Sequence, residues 1–465
     1  MKHLTSFKRM AAAAALSVVA ALPAGAQSLA DTMVSAYRHS ALMEQNRAVL
    51  RAADEDVANA VAQLRPILQW VASHQVSRIE GNHGSTRSSA LALRAEIPLY
   101  DWGRSQLAID SAKEQVLATR QALVGVEQDV LLGATQAFFD VRRATEQVSL
   151  QENSVRVIGQ ERQAAQDRFE VGEITVTDVS LAEARLAATR AALAAAEGDL
   201  EVAREQYLAS TGKKPGQLSA PPPLPKLPAN LEAARSIAQK NHPAIKQAQR
   251  SAAAAELGVA AAAAERNPTL SGTAQAGVGR DIIQGSRDYD TRLNGSVGLE
   301  LSQTIYSGGR LPAAHRKAMA ARDEARAALL SVARDINQQV GTAWANIDVA
   351  RAQIGSINEQ ISAAQQAYDG VREEAQLGAR TTLDVLDAEQ SLLEARADKI
   401  TAEANLQLAH YQLLAAMGLL TVENLKLGIP TYDPSQYYNA VRDAPFTSKQ
   451  GESLDRVLRA IGRDN

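Results

Sequence analysis

The sequence predicts a mainly α-helical chain that carries a transmembrane β-barrel segment and is built as a twofold internal repeat. Three observations point there. Signature residues recur at one fixed offset across two halves of the chain. Each half holds two runs of about 10 residues that alternate apolar and polar, the length a tilted strand needs to cross a bilayer. The rest is alanine-rich with helical spacing: 46% of residues are apolar but only 4% aromatic, which suits closely packed long helices better than a globular core.

The repeat is explicit in the residues. "IPLYDWGR" ends at Arg104 and "QTIYSGGR" at Arg310, so Tyr100 pairs with Tyr306, Gly103 with Gly309 and Arg104 with Arg310, each 206 positions on. The same offset relates Phe138 to Trp344, Gly172 to Gly378, Asp178 to Asp384 and Gly212 to Gly418. Upstream the offset is 202, relating Leu29 to Leu231 and Pro66 to Pro268, so four extra residues lie between Pro268 and Tyr306 and mark a loop.

In chain order, residues 1–26 read as a secretory signal peptide: Lys2, Lys8 and Arg9 precede an apolar run closed by Pro23 and Ala24-Gly25-Ala26. The mature chain is then expected outside the cytoplasm, with no cysteine for a disulfide framework or a lipid anchor. The first repeat, residues 27–211, opens with an expected helix of 37 residues over 29–65, stopped by Pro66. Two strands follow, separated by the glycine-rich "EGNHGSTRSS"; Leu91, Leu93, Ala95, Ile97 and Leu99 fall on one face, Arg94 and Glu96 on the other. A proline-free helix is expected over 104–169, about 100 Å at about 1.5 Å per residue. Gly125, Gly133 and Gly159 inside it each cost about 1 kcal/mol and fit close packing against a neighbour. A further helix over 175–210 ends at Gly212 as a C-cap.

Residues 212–230, "GKKPGQLSAPPPLPKLPAN", read as an extended proline-rich linker. The second repeat, residues 231–420, copies the first: Leu270, Ala274, Ala276 and Val278 share one strand face, then Leu293, Val297, Leu299 and Leu301 share another. The tail, residues 421–465, repeats nothing, and its composition leaves open an equatorial position against the helices or partial disorder. No run reaches the 18 or so consecutive apolar residues of a membrane helix, so any crossing must be made by strands. Four strands cannot close a transmembrane barrel, and each unsatisfied backbone group at an open edge in lipid costs several kcal/mol. Other copies must complete the wall.

These residues resemble the TolC-like outer-membrane factors, the exit ducts of Gram-negative secretion and efflux systems. The resemblance spans about residues 28 to 420 and rests on "YDWGR" and "IYSGGR" at the strand-to-helix corners and on "RFEVGEITVTDV" and "EAQLGARTTLDVLDAEQ" at the opposite tips. It implies a homotrimer in the cell outer membrane, its 12-stranded β-barrel continuous with a long periplasmic α-helical barrel whose tip opens like an iris. The implied partners are a periplasmic adaptor (membrane fusion protein), an inner-membrane transporter, outer-membrane lipid and an exported protein or small-molecule substrate, with no cofactor. The tail stretch "YDPSQYYNAVRDAP" resembles members serving type I secretion, which favours an ABC-type transporter. The outer-membrane component of a multidrug efflux pump is the alternative. A periplasmic coiled-coil scaffold is a second, which leaves the alternating strands unexplained.

Asp384 and Asp387 lie at i and i+3 on one helix face. Taken alone they are a solvated first turn, capped by Thr381 or Thr382. Threefold assembly makes them two rings of three carboxylates, which attract cations and repel anions. By resemblance Asp384 and Asp387 line the periplasmic constriction, while Arg380, Thr177 and Asp178 belong to the network holding the tip shut. Gly172 and Gly378 permit the tip turns. One departure matters: the family archetype has tyrosine at the position of Ala375, so part of the closing network is absent. Arg94, Glu96 and Glu300 read as a solvated channel wall, Tyr100 and Trp102 as an interfacial aromatic belt, and Pro98 as a bend into the helix.

Other classes are disfavoured. A net charge of −3 with no basic block lacks the patch that nucleic acid requires. Seven histidines are scattered, and no nucleophile with a base, metal-ligand spacing or phosphate cradle occurs, so neither catalysis nor a metal site is expected.

Overall fold

The computed structural model describes residues 26–78, 85–283 and 290–442. The expected signal segment lies outside them but for Ala26, as does the tail from residue 443. Both halves show the same order of elements. The first has α1 (Leu29–His39), α2 (Ala41–Ala62), β1 (Ile67–Arg78), β2 (Ser85–Tyr100), α3 (Arg104–Glu170) and α4 (Val176–Thr211). The second has α5 (Leu231–Asn241), α6 (Pro243–Ala264), β3 (Thr269–Ile283), β4 (Asp290–Ser302), α7 (Arg310–Gln376) and α8 (Thr382–Ala416), followed by a short α9 (Pro434–Val441).

The single helix expected over 29–65 is instead two. Ser40 is extended (φ −67°, ψ 112°) and its Oγ accepts the Met43 amide at 3.2 Å, which starts α2. Its counterpart 202 positions on is His242, extended (φ −63°, ψ 126°) as the residue before Pro243. One half breaks its helix with proline and the other with a serine cap. The long helices are unbroken, 67 residues each in α3 and α7. Of the three glycines inside α3, only Gly125 faces a neighbour, where an added Cβ would stand 4.0 Å from Pro243; Gly133 and Gly159 have open space, so close packing does not account for them within the chain.

Gly212 takes φ +70° as the left-handed cap that ends α4, its amide donating to the Leu208 carbonyl, and an added Cβ there would also collide with the His39 ring. Gly418 repeats this after α8, with φ +75° against the His242 backbone. In the linker, Gln27 and Leu218 form an isolated parallel bridge, the Gln27 amide donating to the Gln217 carbonyl at 2.8 Å.

The strands form one antiparallel sheet in the order β1-β2-β3-β4, leaving β1 and β4 as its edges. They are longer than expected, from 12 to 16 residues, and Ser85 already pairs with Arg78, so the loop expected over 80–89 begins to pair before its end. Register decides the faces. Trp70, Leu93, Ala276 and Gly295 lie opposite one another across the four strands, as do Leu68, Ala95, Ala274 and Val297. The next row joins Ala72, Leu91, Val278 and Leu293, and the polar row of His74 and Ser89 ends the band. This apolar face is uncovered: Trp70 is 73% exposed, Leu293 89% and Val297 88%. The opposite face carries Gln69, Arg94, Gln275 and Ser296 in one row and Glu96, Thr273 and Gly298 in another. Glu300 belongs to that same polar face, opposite Ser271. The ladder shifts register between Pro98 and Tyr100, the irregularity a proline without an amide donor imposes.

The described chain divides into two compact units. One contains the sheet with α2, α6, α9 and the sheet-proximal stretches of α3 and α7. The other contains α1, α4, α5, α8 and the remainder of α3 and α7. The second is cored by Phe138, Leu131, Leu413, Met417 and Leu420, with Phe139 between Phe138 and Tyr411 at ring distances of 5.4 and 6.3 Å. Among the described residues no helix is long and apolar enough to cross a membrane.

Candidate functional site

The two helix-to-helix turns, α3 to α4 and α7 to α8, are built alike. Gly172 (φ +80°) and Gly378 (φ +76°) adopt the left-handed conformation that ends the long helices. The Glu173 amide donates to the Arg168 carbonyl at 2.9 Å, and the Ala379 amide to the Glu374 carbonyl at 2.9 Å, satisfying the last carbonyls of each helix. Thr175 and Thr381 then cap the following helices. The Thr381 amide and hydroxyl donate to Asp384 Oδ2 at 2.9 and 2.8 Å, and the Asp384 amide returns a bond to Thr381 Oγ1 at 3.3 Å. Asp178 receives the matching bonds from Thr175 at 3.0 and 2.8 Å.

Asp384 is therefore a capping carboxylate that is also exposed, its pKa held below the usual carboxylate value by the Thr381 hydrogen bonds. Asp387, one turn on, has a partner from the other half of the chain: Arg185 Nη2 on α4 reaches Asp387 Oδ1 at 2.9 Å. Arg380 Nε donates to Glu374 Oε2 across its own turn at 2.8 Å, and that bond raises its pKa. Thr177 is exposed in the first turn of α4. Among the described residues, Arg380, Thr177 and Asp178 are thus not brought together within one chain; the two charged members serve their own turns.

Further contacts tie the second-half helices to the first half. Glu389 is buried on α8, and Ser154 Oγ of α3 donates to its Oε1 at 3.2 Å. Burial pushes the Glu389 carboxyl up, opposed by Ser154, Arg185 and Arg396. Arg372 Nε of α7 meets Glu161 of α3 at 3.2 Å. Ile158, Ala165, Ala182 and Leu386 form one apolar cluster, with Ile174 and Leu186 packed against it. Ala375 is buried in a second cluster with Tyr368, Val385 and Leu392, and a cleft of about 90 Å³ lies beside it, lined by Glu161, Arg168, Arg372 and Thr382. Glu389 could have been found in the sequence: it interrupts the apolar stripe Val385 and Leu392 at i+4 and i+7. Arg185 carried no such mark.

At the opposite ends of the long helices, Asp101 and Ser307 start α3 and α7. Asp101 accepts from the Gly103 and Ser105 amides at 3.1 and 2.7 Å, and Ser307 Oγ accepts the Leu311 amide at 3.2 Å. Gly103 and Gly309 take φ +83° and +91°. Arg104 and Arg310 are the first residues of α3 and α7, and Arg310 lies 3.9 Å from Glu265. Tyr100 and Trp102 stack edge-on at 4.7 Å, both exposed, as is Tyr306. Trp102 pays for this geometry with φ +53°, where its repeat partner is Gly308 at +60°.

The chain matches the model of a family described as outer membrane efflux protein over residues 33–213 and 234–419. It is 32% identical over 443 residues to the outer membrane efflux protein BepC of Brucella suis, covering 94% of this chain and 96% of that one. It is 25% identical to the outer membrane protein TolC of Escherichia coli, covering 92% and 90%. The solved structure of the Campylobacter jejuni CmeC outer membrane channel is 14% identical and superposes with a TM-score of 0.73 over 89% of both chains, a likeness of fold.

Proposed function

We propose, on the premise that this chain belongs to the outer membrane efflux protein family, that it is the exit duct of a tripartite system for type I protein secretion. Members of this family are passive channels of the outer membrane that extend into the periplasm, not enzymes, and they work with a periplasmic adaptor and an inner-membrane transporter. The observation that carries the duct reading is the sheet: a continuous apolar face left uncovered and two edges, β1 and β4, left unpaired. Lipid suits the apolar face but not the open edges, where each orphaned backbone group costs several kcal/mol. Three copies joined β1 to β4 would close a 12-stranded wall, the apolar face outward and the row of Arg94 and Gln275 inward.

The gate in this reading lies at the turns into α4 and α8. Asp384 and Asp387 would ring the constriction, and Arg185, Ser154 and Glu389 would hold α8 against α3 and α4 while it is shut. An adaptor opens it only by binding the open arrangement better. The secretion assignment, with an ABC-type transporter, rests on the tail stretch at residues 432–445. A drug-efflux role is the second reading, and the Brucella suis relative is called an outer membrane efflux protein.

The test is extraction from outer-membrane fractions, sizing, and single-channel recording. A trimer that conducts is expected. A stably folded monomer with no pore activity would end the proposal. Deletion then separates the two cargoes: loss of a secreted protein from the medium supports secretion, and sensitivity to small toxic compounds with export intact supports efflux.

A further inference from the structure

Asp54, on α2 in the sheet-containing unit, is fully buried, and neither of its carboxylate oxygens has a hydrogen-bond partner among the described residues. A buried, unpaired carboxylate is costly unless it takes up a proton. Near it, the short tail segment docks on α2 and α3. Arg47 of α2 sits 5.2 Å over the Tyr432 ring, and Arg120 of α3 sits 5.3 Å over the Tyr438 ring. Tyr437 donates to Glu55 at 2.7 Å, and Val441 is buried. Asp433 caps α9 through the Ser435 amide at 2.8 Å. Tyr432 and Tyr437 stand close enough to Asp54 to feel its charge.

We propose that residues 432–442 are a proton-strengthened clip, seated on α2 and α3 near Asp54 and held more tightly when that carboxyl is neutral. The groups facing Asp54 are Glu55 from its own helix, Arg120 from α3, and Tyr432 and Tyr437 from the tail; Arg51 faces the two tyrosines, and Asp433 faces Arg120. Desolvation is the largest effect on Asp54 and pushes its carboxyl up to about 6, against an ordinary value of 3.8. The sign follows. With the pKa raised in the docked state, docking binds a proton, so it is strongest below the ordinary pKa and weakens as pH rises through about 6. The three shifted ionisable groups of the tail lie outside this window: Asp433 is held low by Ser435, and burial raises Tyr432 and Tyr437. Were the whole shift due to the tail, the ratio of docked to released clip would be up to about tenfold higher near pH 5 than near pH 7.5.

The chain has no cysteine, so Asn439→Cys, at an exposed position of α9, gives the intact assembly one site for a nitroxide label. Its spectrum is read between about pH 5 and pH 7.5. The immobile component is expected to fall as pH rises, and Asp54→Asn to hold the label immobile at both ends. Tyr438→Leu, which removes the ring under Arg120, should free the label throughout and erase the response, and it decides the matter if Asp54→Asn fails to assemble. A pH response that survives Asp54→Asn or Tyr438→Leu overturns the proposal, as does a parent spectrum that does not change with pH.

Discussion

Replacing Arg185 by glutamine should loosen the closed tip. The side chain bonds Asp387 at 2.9 Å with the pair 29% and 62% exposed, so the bond itself belongs with surface pairs and is worth about 0.2 to 1 kcal/mol per chain. Arg185 also opposes the burial cost of the Glu389 charge, and removing it leaves that carboxylate leaning on Ser154 and Arg396. If the three copies open together, a loss of about 0.5 kcal/mol in each sums to about 1.5 kcal/mol, roughly a tenfold rise in the open-to-closed ratio. Planar-bilayer recording of purified trimers reads that ratio directly. Asp387→Asn and the double substitution complete a cycle, and the double should open little more than either single, because both remove one interaction. Strictly additive effects would show that Arg185 and Asp387 act separately, and the brace would have to be abandoned.

Two other expectations concern the same turns. Asp384→Asn should relieve block by multivalent cations in bilayer recordings more than Asp387→Asn does, because Asp387 already shares its charge with Arg185; with the Asp384 pKa depressed, block should persist on acidification until pH falls below the ordinary carboxylate value of 3.8. Ala375→Tyr should place a ring in the cleft lined by Arg168 and Arg372, tie α7 more firmly to α3 and lower the open fraction several-fold, measured in the same recordings.

Much of the architecture was legible because it is periodic. Strand faces follow from alternation, and register joined the predicted sets Leu91, Leu93 and Leu293, Val297 into one face without a slip. The break at Ser40 was not read, since serine is compatible with a helix interior and only tertiary context makes it a cap; Pro243, at the matching place in the other half, was the available clue. The tail helix α9 escaped notice because eight residues are too few for a helix to stand without its docking contacts. At the tip, the capping role of Asp384 was readable from Thr381 three residues before it. The partner of Asp387 was not: Arg185 is 202 residues away on another helix, and nothing local marks it.

The order β1-β2-β3-β4 has a genetic consequence. In a ring of three, each joint sets the first strand of one copy beside the fourth of the next, so every chain has one edge of each kind and the joints are head to tail. A chain faulty at one edge still offers a sound one and is taken up. Where sound and faulty chains are made in equal number and mix freely, only roughly one ring in eight is built wholly of sound ones. Edge faults should therefore be inherited as dominant traits.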